Sequence, residues 1–251
     1  VLRAFAGGSG QALVHLNNTS GGILGGDRLD LRADLAPGAR VQITTTGATR
    51  IYRPRTAAAA HSAAHFDLGE NSLLELLPDP LIPYAGSRFT QSTTVNLAPG
   101  ATLFWWEMLT PGREASGEVF QFDQLRMQAE IRAGGIPIVI DRMDLDPRLR
   151  PLESPARLGQ CRHLATLYVC RAGEPAATWH RIEAALAAQI GACTGSPDGV
   201  IWGIGSLTCD GLVIRGMARC GPALVAGLRE FWRAARLLLT GESASLPRKI
   251  Y

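Results

Sequence analysis

Five residues, Leu35-Ala-Pro-Gly-Ala39, return as Leu97-Ala-Pro-Gly-Ala101. Related turns lie between and beyond them, at Leu68-Gly-Glu-Asn-Ser72 and Ile131-Arg-Ala-Gly-Gly135. The steps are 33, 29 and 34 residues, and each turn leads into an apolar stretch. A step near 30 with no helical pattern inside it predicts stacked β coils, each burying its apolar face against the next. A succession of ordinary hairpins is the alternative. The strand-like runs Val41–Thr46, Ser72–Leu77, Thr102–Leu109 and Ile136–Ile140 fit both.

Two segments break the β pattern. Thr178–Ile190 is rich in Ala and Leu, follows Pro175 and ends at Gly191. Pro222–Thr240 has Pro at its start and Gly241 just past its end, the usual asymmetry of a helix. Leu224, Leu228, Phe231, Ala235 and Leu238 recur at helical spacing, so this helix should pack one face on the β body. The expected fold class is mainly β, a solenoid-like stack of strand layers with two α-helices in the C-terminal third. We read residues 1–251 as a single domain: a β body over about 1–150 and a mixed α/β part over about 151–251. The Pro-rich stretch Asp146–Pro155 is the best candidate boundary.

Charge and cysteine usage narrow the functional classes. A formal net charge of +3 gives no reason to expect nucleic-acid binding. Lys249 is the only lysine, and genome composition explains that skew to arginine as well as anion recognition does. Five cysteines with no C-x-x-C pair support neither a disulfide framework nor a zinc ribbon. Reduced thiols in the cytoplasm fit best. No run approaches the length of a membrane span, so no membrane is expected as a partner, and no signal peptide is recognised.

The run Asn18-Thr-Ser-Gly-Gly-Ile-Leu-Gly-Gly-Asp-Arg-Leu29 invites a phosphate-loop reading, which fails. A Walker loop needs a lysine that is absent, and a dinucleotide loop needs a helix after the glycines. Here the glycines fall between two apparent strands, so a tight corner is the better reading. Asp27 and Arg28 are then a local ion pair or a partner contact.

Metal chemistry has two candidate sources. His61 and His65 are four apart. They would share a ligand-forming face on a helix, but on a strand they would sit about 13 Å apart, too far for one ion. Cys161 and His163 are a further soft pair, for which a single buried thiol is the plainer reading. The second source is Glu75, Glu107 and Asp141, which fall in or at the end of apolar strands at spacings of 32 and 34, close to the repeat itself. Stacked coils would bring them near one another inside the protein. Their repulsion must then be relieved by arginine, water, a proton or a cation. Arg50, Arg88 and Arg113 follow the first three strands and are the expected partners. Three separate arginine-paired carboxylates are the alternative to acids stacked together. No Gly-x-Ser-x-Gly elbow is present.

Three stretches together carry a resemblance: Ser20–Leu29, Ile43-Thr-Thr-Thr-Gly-Ala-Thr-Arg-Ile-Tyr-Arg53, and Leu76-Leu-Pro-Asp-Pro-Leu-Ile-Pro-Tyr-Ala-Gly-Ser-Arg-Phe89. They resemble the signatures of the urease accessory protein D family (UreD, also called UreH). Arg236, Gly241 and Leu246-Pro-Arg-Lys-Ile250 are similar to its closing segment. The departures are small: Asn18-Thr-Ser precedes the first glycine pair in place of Pro-Pro, Lys-Ile-Tyr replaces the closing Ile-Trp, and the usual N-terminal lead-in is absent. The resemblance implies a β-rich, non-catalytic maturation factor that binds apo-urease subunits and recruits urease accessory protein F and the urease accessory GTPase G. It implies GTP-dependent nickel insertion into urease, with no tightly bound cofactor and transient Ni2+ in an internal channel. Glu75, Glu107 and Asp141 become candidates to line it. Asp27, Arg28, Asp79, Tyr84 and Arg88, which lie in the signature stretches, become candidate partner or channel contacts. The competing reading is a β-rich metal-dependent enzyme that uses the internal carboxylates.

Overall fold

The computed structural model describes residues 4–7, 10–55, 58–193 and 199–246, with backbone only for 191–193. Of the run Leu246–Ile250 singled out above, only Leu246 lies among them.

The repeated turns do what their chemistry requires. Pro37 and Gly38 form the centre of a type II turn, with Gly38 at φ +70° and the Ala39 N–H donating to the Ala36 carbonyl. The turn at 98–101 repeats it, with Gly100 at φ +72°. Each turn carries the chain from one sheet to the other. Strands β3 (Arg28–Leu35), β6 (Ala60–Leu68) and β9 (Arg88–Leu97) enter these turns and lie parallel in one sheet. Strands β4 (Arg40–Thr45), β7 (Leu73–Leu76) and β10 (Thr102–Leu109) leave them and lie parallel in the other. Leu35, Leu68 and Leu97 are in register across the first sheet. The solenoid-like stack expected from the repeat is therefore the observed architecture.

The fourth turn differs. Gly134 and Gly135 both have positive φ, +55° and +81°. That pair suits a two-residue hairpin, which reverses the chain within its own sheet. β11 (Gln124–Ala133), parallel to β9, is therefore followed by antiparallel β12 (Ile136–Leu145). The ladder partner of Leu97 is Ala133 rather than Ile131. The stacking ends there, and Asp141 falls in the β3–β6–β9–β11–β12 sheet rather than beside β10.

The chain then returns to the larger sheet. β13 (His163–Arg171) runs antiparallel to β10 along eight residue pairs, and β14 (Ile201–Ser206) and β15 (Gly211–Ala218) extend the sheet. At its other edge lie β1 (Ala4–Ala6) and β2 (Ala12–Leu16). Two short strands, β5 (Thr49–Ile51) and β8 (Leu81–Pro83), pair at a third corner of the coils. Helices α1 (Ala176–Cys193) and α2 (Gly221–Thr240) cover the outside of the larger sheet. Among the described residues no helix is long and apolar enough to cross a membrane.

Three apolar cores result. One lies between the sheets, where Phe66, Val95 and Leu97 meet Leu74, Leu103 and Trp105. A second joins the larger sheet to the helices and contains Phe231, Trp232 and Trp202. The third fills the corner, around Ile23, Ile51 and Phe122. On α2 the buried face includes Leu224, Leu228, Phe231 and Ala235, as its periodicity predicts. Gly241, at φ +73°, closes it through its N–H to the Leu237 carbonyl.

The glycine run is a corner. Ile23 bridges to Ile51 of the next coil, and a β-carbon on Gly22 would lie 2.5 Å from a Tyr52 ring carbon. Glycine is required there because the next coil sits directly on the backbone.

Candidate functional site

A cavity of about 750 Å³ opens between the two sheets at the first coil. Apolar side chains from both sheets line it, among them Leu31, Phe66 and Trp105. Asn17, Thr46 and Arg50 are among its other lining residues, and Gln91 and Glu107 line it from β9 and β10. Glu107 shares its strand face with Leu103 and Trp105, so it points between the sheets. Its carboxylate accepts a hydrogen bond from Gln91 Nε2, at 2.6 Å. Burial pushes its carboxyl up to about 8, and the charge of Asp141 adds to that, against the opposing Gln91 hydrogen bond. Glu107 is thus mostly protonated at neutral pH.

Further along the same interior stand Tyr168, Asp141 and Arg215. Asp141 is opposite Ala129, an inward residue, and so faces inward from β12. It accepts a 2.6 Å hydrogen bond from Tyr168 Oη and pairs with Arg215 Nη2, also at 2.6 Å. Burial, followed by the bond to Asp141, keeps the Tyr168 phenol protonated. Glu107, Thr166 and Arg215 lie directly opposite one another across β10, β13 and β15. A polar row thus runs from the cavity floor to Arg215, whose side chain is 59% exposed. Asp141 and Glu107 are close enough to interact electrostatically.

Glu75 is not part of that row. It lies on the opposite face of the larger sheet, fully buried beneath α2. Four donors converge on its carboxylate: Gln11 Nε2 at 2.7 Å, Gln42 Nε2 at 2.9 Å, Trp232 Nε1 at 3.0 Å and Arg236 Nε at 2.9 Å. Arg236 continues to the carbonyls of Glu242 and Ser243. The expectation that three acids stack is corrected to two acids on one interior row and a third in a separate, saturated ion pair. The expected arginine partners are also replaced. Arg50 donates to the Gly21 carbonyl, Arg88 to Asp123 and Arg113 to Glu118, because all three sit at the third corner of the coils and turn away from the strands.

The remaining candidates fall into two groups. At the corner, Asp27 accepts from the Leu24 N–H at 2.8 Å, which closes the turn. Asp79 accepts from Thr45 Oγ1 at 3.0 Å. The Tyr84 ring stands edge-on to Tyr52, with the Arg113 guanidinium 4.3 Å from its centre. Arg88 meets Asp123 at 3.1 Å. On the outer face of the smaller sheet, Arg28 is opposite His61. His61 and His65 are on strand β6, so the strand geometry applies and they do not converge on one ion. His65 instead meets Asp67 at 3.1 Å, and Asn96 is the largest influence holding Asp67 below the usual carboxylate range. Cys161 is buried, and His163 pairs with Glu114 at 2.9 Å. Among the described residues no group of three or more His, Cys, Asp or Glu side chains is arranged to hold a metal.

Residues missed from sequence are those that partner the acids from afar. Gln91, Tyr168 and Arg215 serve the interior row, and Trp232 and Arg236 hold Glu75.

Comparison with known proteins points in one direction. The family model described as "UreD urease accessory protein" matches residues 1–250. A urease accessory protein UreD of Herpetosiphon aurantiacus is 43% identical over 257 residues, covering 100% of this chain and 87% of that protein. Those of Actinomyces naeslundii and Opitutus terrae are 34% and 33% identical, over 84% and 90% of this chain and 74% and 79% of theirs.

Proposed function

The chain belongs to the UreD urease accessory protein family, and from that membership we propose that it is a cytoplasmic scaffold and nickel conduit in urease maturation. In this reading it binds apo-urease together with urease accessory protein F and the GTPase G. GTP hydrolysis belongs to that GTPase, in keeping with the missing Walker lysine in the glycine run here. The nickel ion is cargo, passed through the interior without a resident site. The observation that carries this is the row from the cavity floor at Glu107 to Asp141 and Arg215.

The chemistry suits transit. Nickel accepts carboxylate, amide and water oxygens, and conduction requires contacts weak enough to release it. A protonated Glu107 does not trap the ion at rest. Nickel binding there displaces the proton, since ligands must be deprotonated to coordinate. Asp141 is neutralised by Arg215 and bound by Tyr168, so it offers a second oxygen without an unpaired buried charge. The competing enzyme reading gains no support from these residues: the acids are partnered by Gln91, Tyr168 and Arg215, and among the described residues no nucleophile–base pair is set against them.

The test is Glu107→Gln, which keeps volume and removes the titratable oxygen. The variant is co-expressed with urease, accessory protein F and the GTPase. The expected result is normal co-purification of the complex, with nickel per urease active site falling several-fold. Normal nickel content in a normally assembled complex would refute passage at this residue.

A further inference from the structure

A second cleft lies at the third corner of the coils, outside the interior row. Its volume is about 560 Å³, within the range that holds drug-sized ligands and too large for a single small ion. Arg53, Arg88 and Arg148 reach it from three separate segments of the chain, and Asp123 is the only carboxylate among its described lining residues. Asp123 meets Arg88 at 3.1 Å and Arg148 at 2.7 Å. Arg53 has no carboxylate partner among the described residues. Its stem lies over the bare backbone of Gly86, where a β-carbon would stand 3.3 Å from its Nε. Glu118, nearby, is engaged by Arg113 and the Ala85 N–H.

Two further features mark the cleft as built. Phe120, a lining residue with a buried ring, holds φ at +51°, a conformation that non-glycine residues adopt at a cost. Asp146 fixes the turn bearing Arg148 by accepting from the backbone N–H of both Arg148 and Leu149. That turn leaves Leu149, the residue after Arg148, 80% exposed. The result is three guanidiniums against one carboxylate, with an exposed apolar residue next in sequence to Arg148.

We propose that this cleft is a docking site for an acidic peptide segment of a protein partner. Planar guanidiniums match carboxylates in pairs, and Arg53 is free to take one without breaking an internal pair. Leu149 and the cleft's size favour a peptide over a free anion. The site is independent of nickel passage, so Glu107→Gln leaves it unchanged.

The probe is a fluorescent, end-blocked hexapeptide, Glu-Leu-Glu-Glu-Leu-Glu, titrated with the purified chain at fixed ionic strength and read by anisotropy. Saturable binding is expected. Arg53→Gln and Arg148→Gln should each weaken it at least tenfold, with unchanged circular dichroism. Asp123→Asn removes the internal competitor and should not weaken it. Arg126→Gln, on the outer face of the smaller sheet where Arg126 pairs with Asp144, is the control for general electrostatics and should have no effect. The proposal fails if the native chain shows no saturable binding, or if Arg126→Gln weakens binding as much as Arg53→Gln. It also fails if inorganic phosphate displaces the peptide at the peptide's own concentration, which would make the cleft a small-anion site.

Discussion

Replacing Glu75 with glutamine should loosen the attachment of α2 to the solenoid. The carboxylate is fully buried and receives four donors, including Arg236 Nε at 2.9 Å. Glutamine keeps the shape, but it removes the charge and turns an NH2 group toward donors that expect an acceptor. Arg236, itself 2% exposed, would keep only two backbone carbonyls and Glu242, which lies 3.3 Å away and is 41% exposed. Breaking one side of a buried ion pair costs about 3–5 kcal/mol. Glu242 remains as a partial substitute, so the lower end, about 3 kcal/mol, is the better figure. In a chain of this size each kcal/mol moves the melting temperature by about 2–4 °C, giving a fall of roughly 6–12 °C.

Differential scanning calorimetry at pH 7 measures it, and limited proteolysis after α2 shows where the loosening occurs. A companion variant, Trp232→Phe, removes one neutral donor and should cost only about 1 kcal/mol. The double variant Glu75→Gln, Arg236→Met should be more stable than Glu75→Gln alone, because no cation is then left buried and unpaired. A fall below about 2 °C for Glu75→Gln would refute the reasoning. It would mean that α2 is held by its apolar face alone.

Glu107 should behave in the opposite way. Its folded carboxyl titrates at about 8, above the unfolded value of 4.5, so its contribution is full below pH 4.5 and is lost as pH rises through 8. Urea melts of the native chain should lose stability across that window, and Glu107→Gln should flatten the loss while changing stability at pH 4, where the native carboxyl is protonated in both states, by less than about 1 kcal/mol; an unchanged slope would remove the assignment. Gly22→Ala should cost about 1–3 kcal/mol by pressing the Tyr52 ring and the Arg50 carbonyl, which a urea midpoint reports. Leu228→Asp, on the buried face of α2, should cost at least about 3 kcal/mol and reduce soluble yield; a normal melting curve would show that face to be free.

The sequence disclosed the coils because the turn that makes them is local. Proline sets the first torsion and glycine accepts the second, so Leu35–Ala39 and Leu97–Ala101 declare their geometry by composition. The fourth turn departs from the series for a reason equally local. Two successive glycines, Gly134 and Gly135, signal a hairpin, and the hairpin ends the stack. The partners of the acids were beyond reach, since Arg236 lies 161 residues from Glu75 and Arg215 lies 74 from Asp141. No spacing rule connects positions so far apart.

The faces of the acids, by contrast, were available. Leu68 and Leu97 occupy the same register position, and each is followed by the same kind of crossing turn. Counting onward, Glu75 is seven residues past Leu68, and Glu107 is ten past Leu97. Seven is odd and ten is even. Side chains alternate along a strand, so two positions of opposite parity after equivalent turns must face opposite ways. The apolar residues around Glu75 hid this, because Leu73, Leu74, Leu76 and Leu77 are buried on both faces. Hydrophobicity alone gives no direction when a sheet has core on either side. Parity does, and it sends Glu75 to the helix and Glu107 to the cavity. The near-equality of their spacing to the repeat was therefore misleading by three residues, which is an odd number and enough to exchange one face for the other.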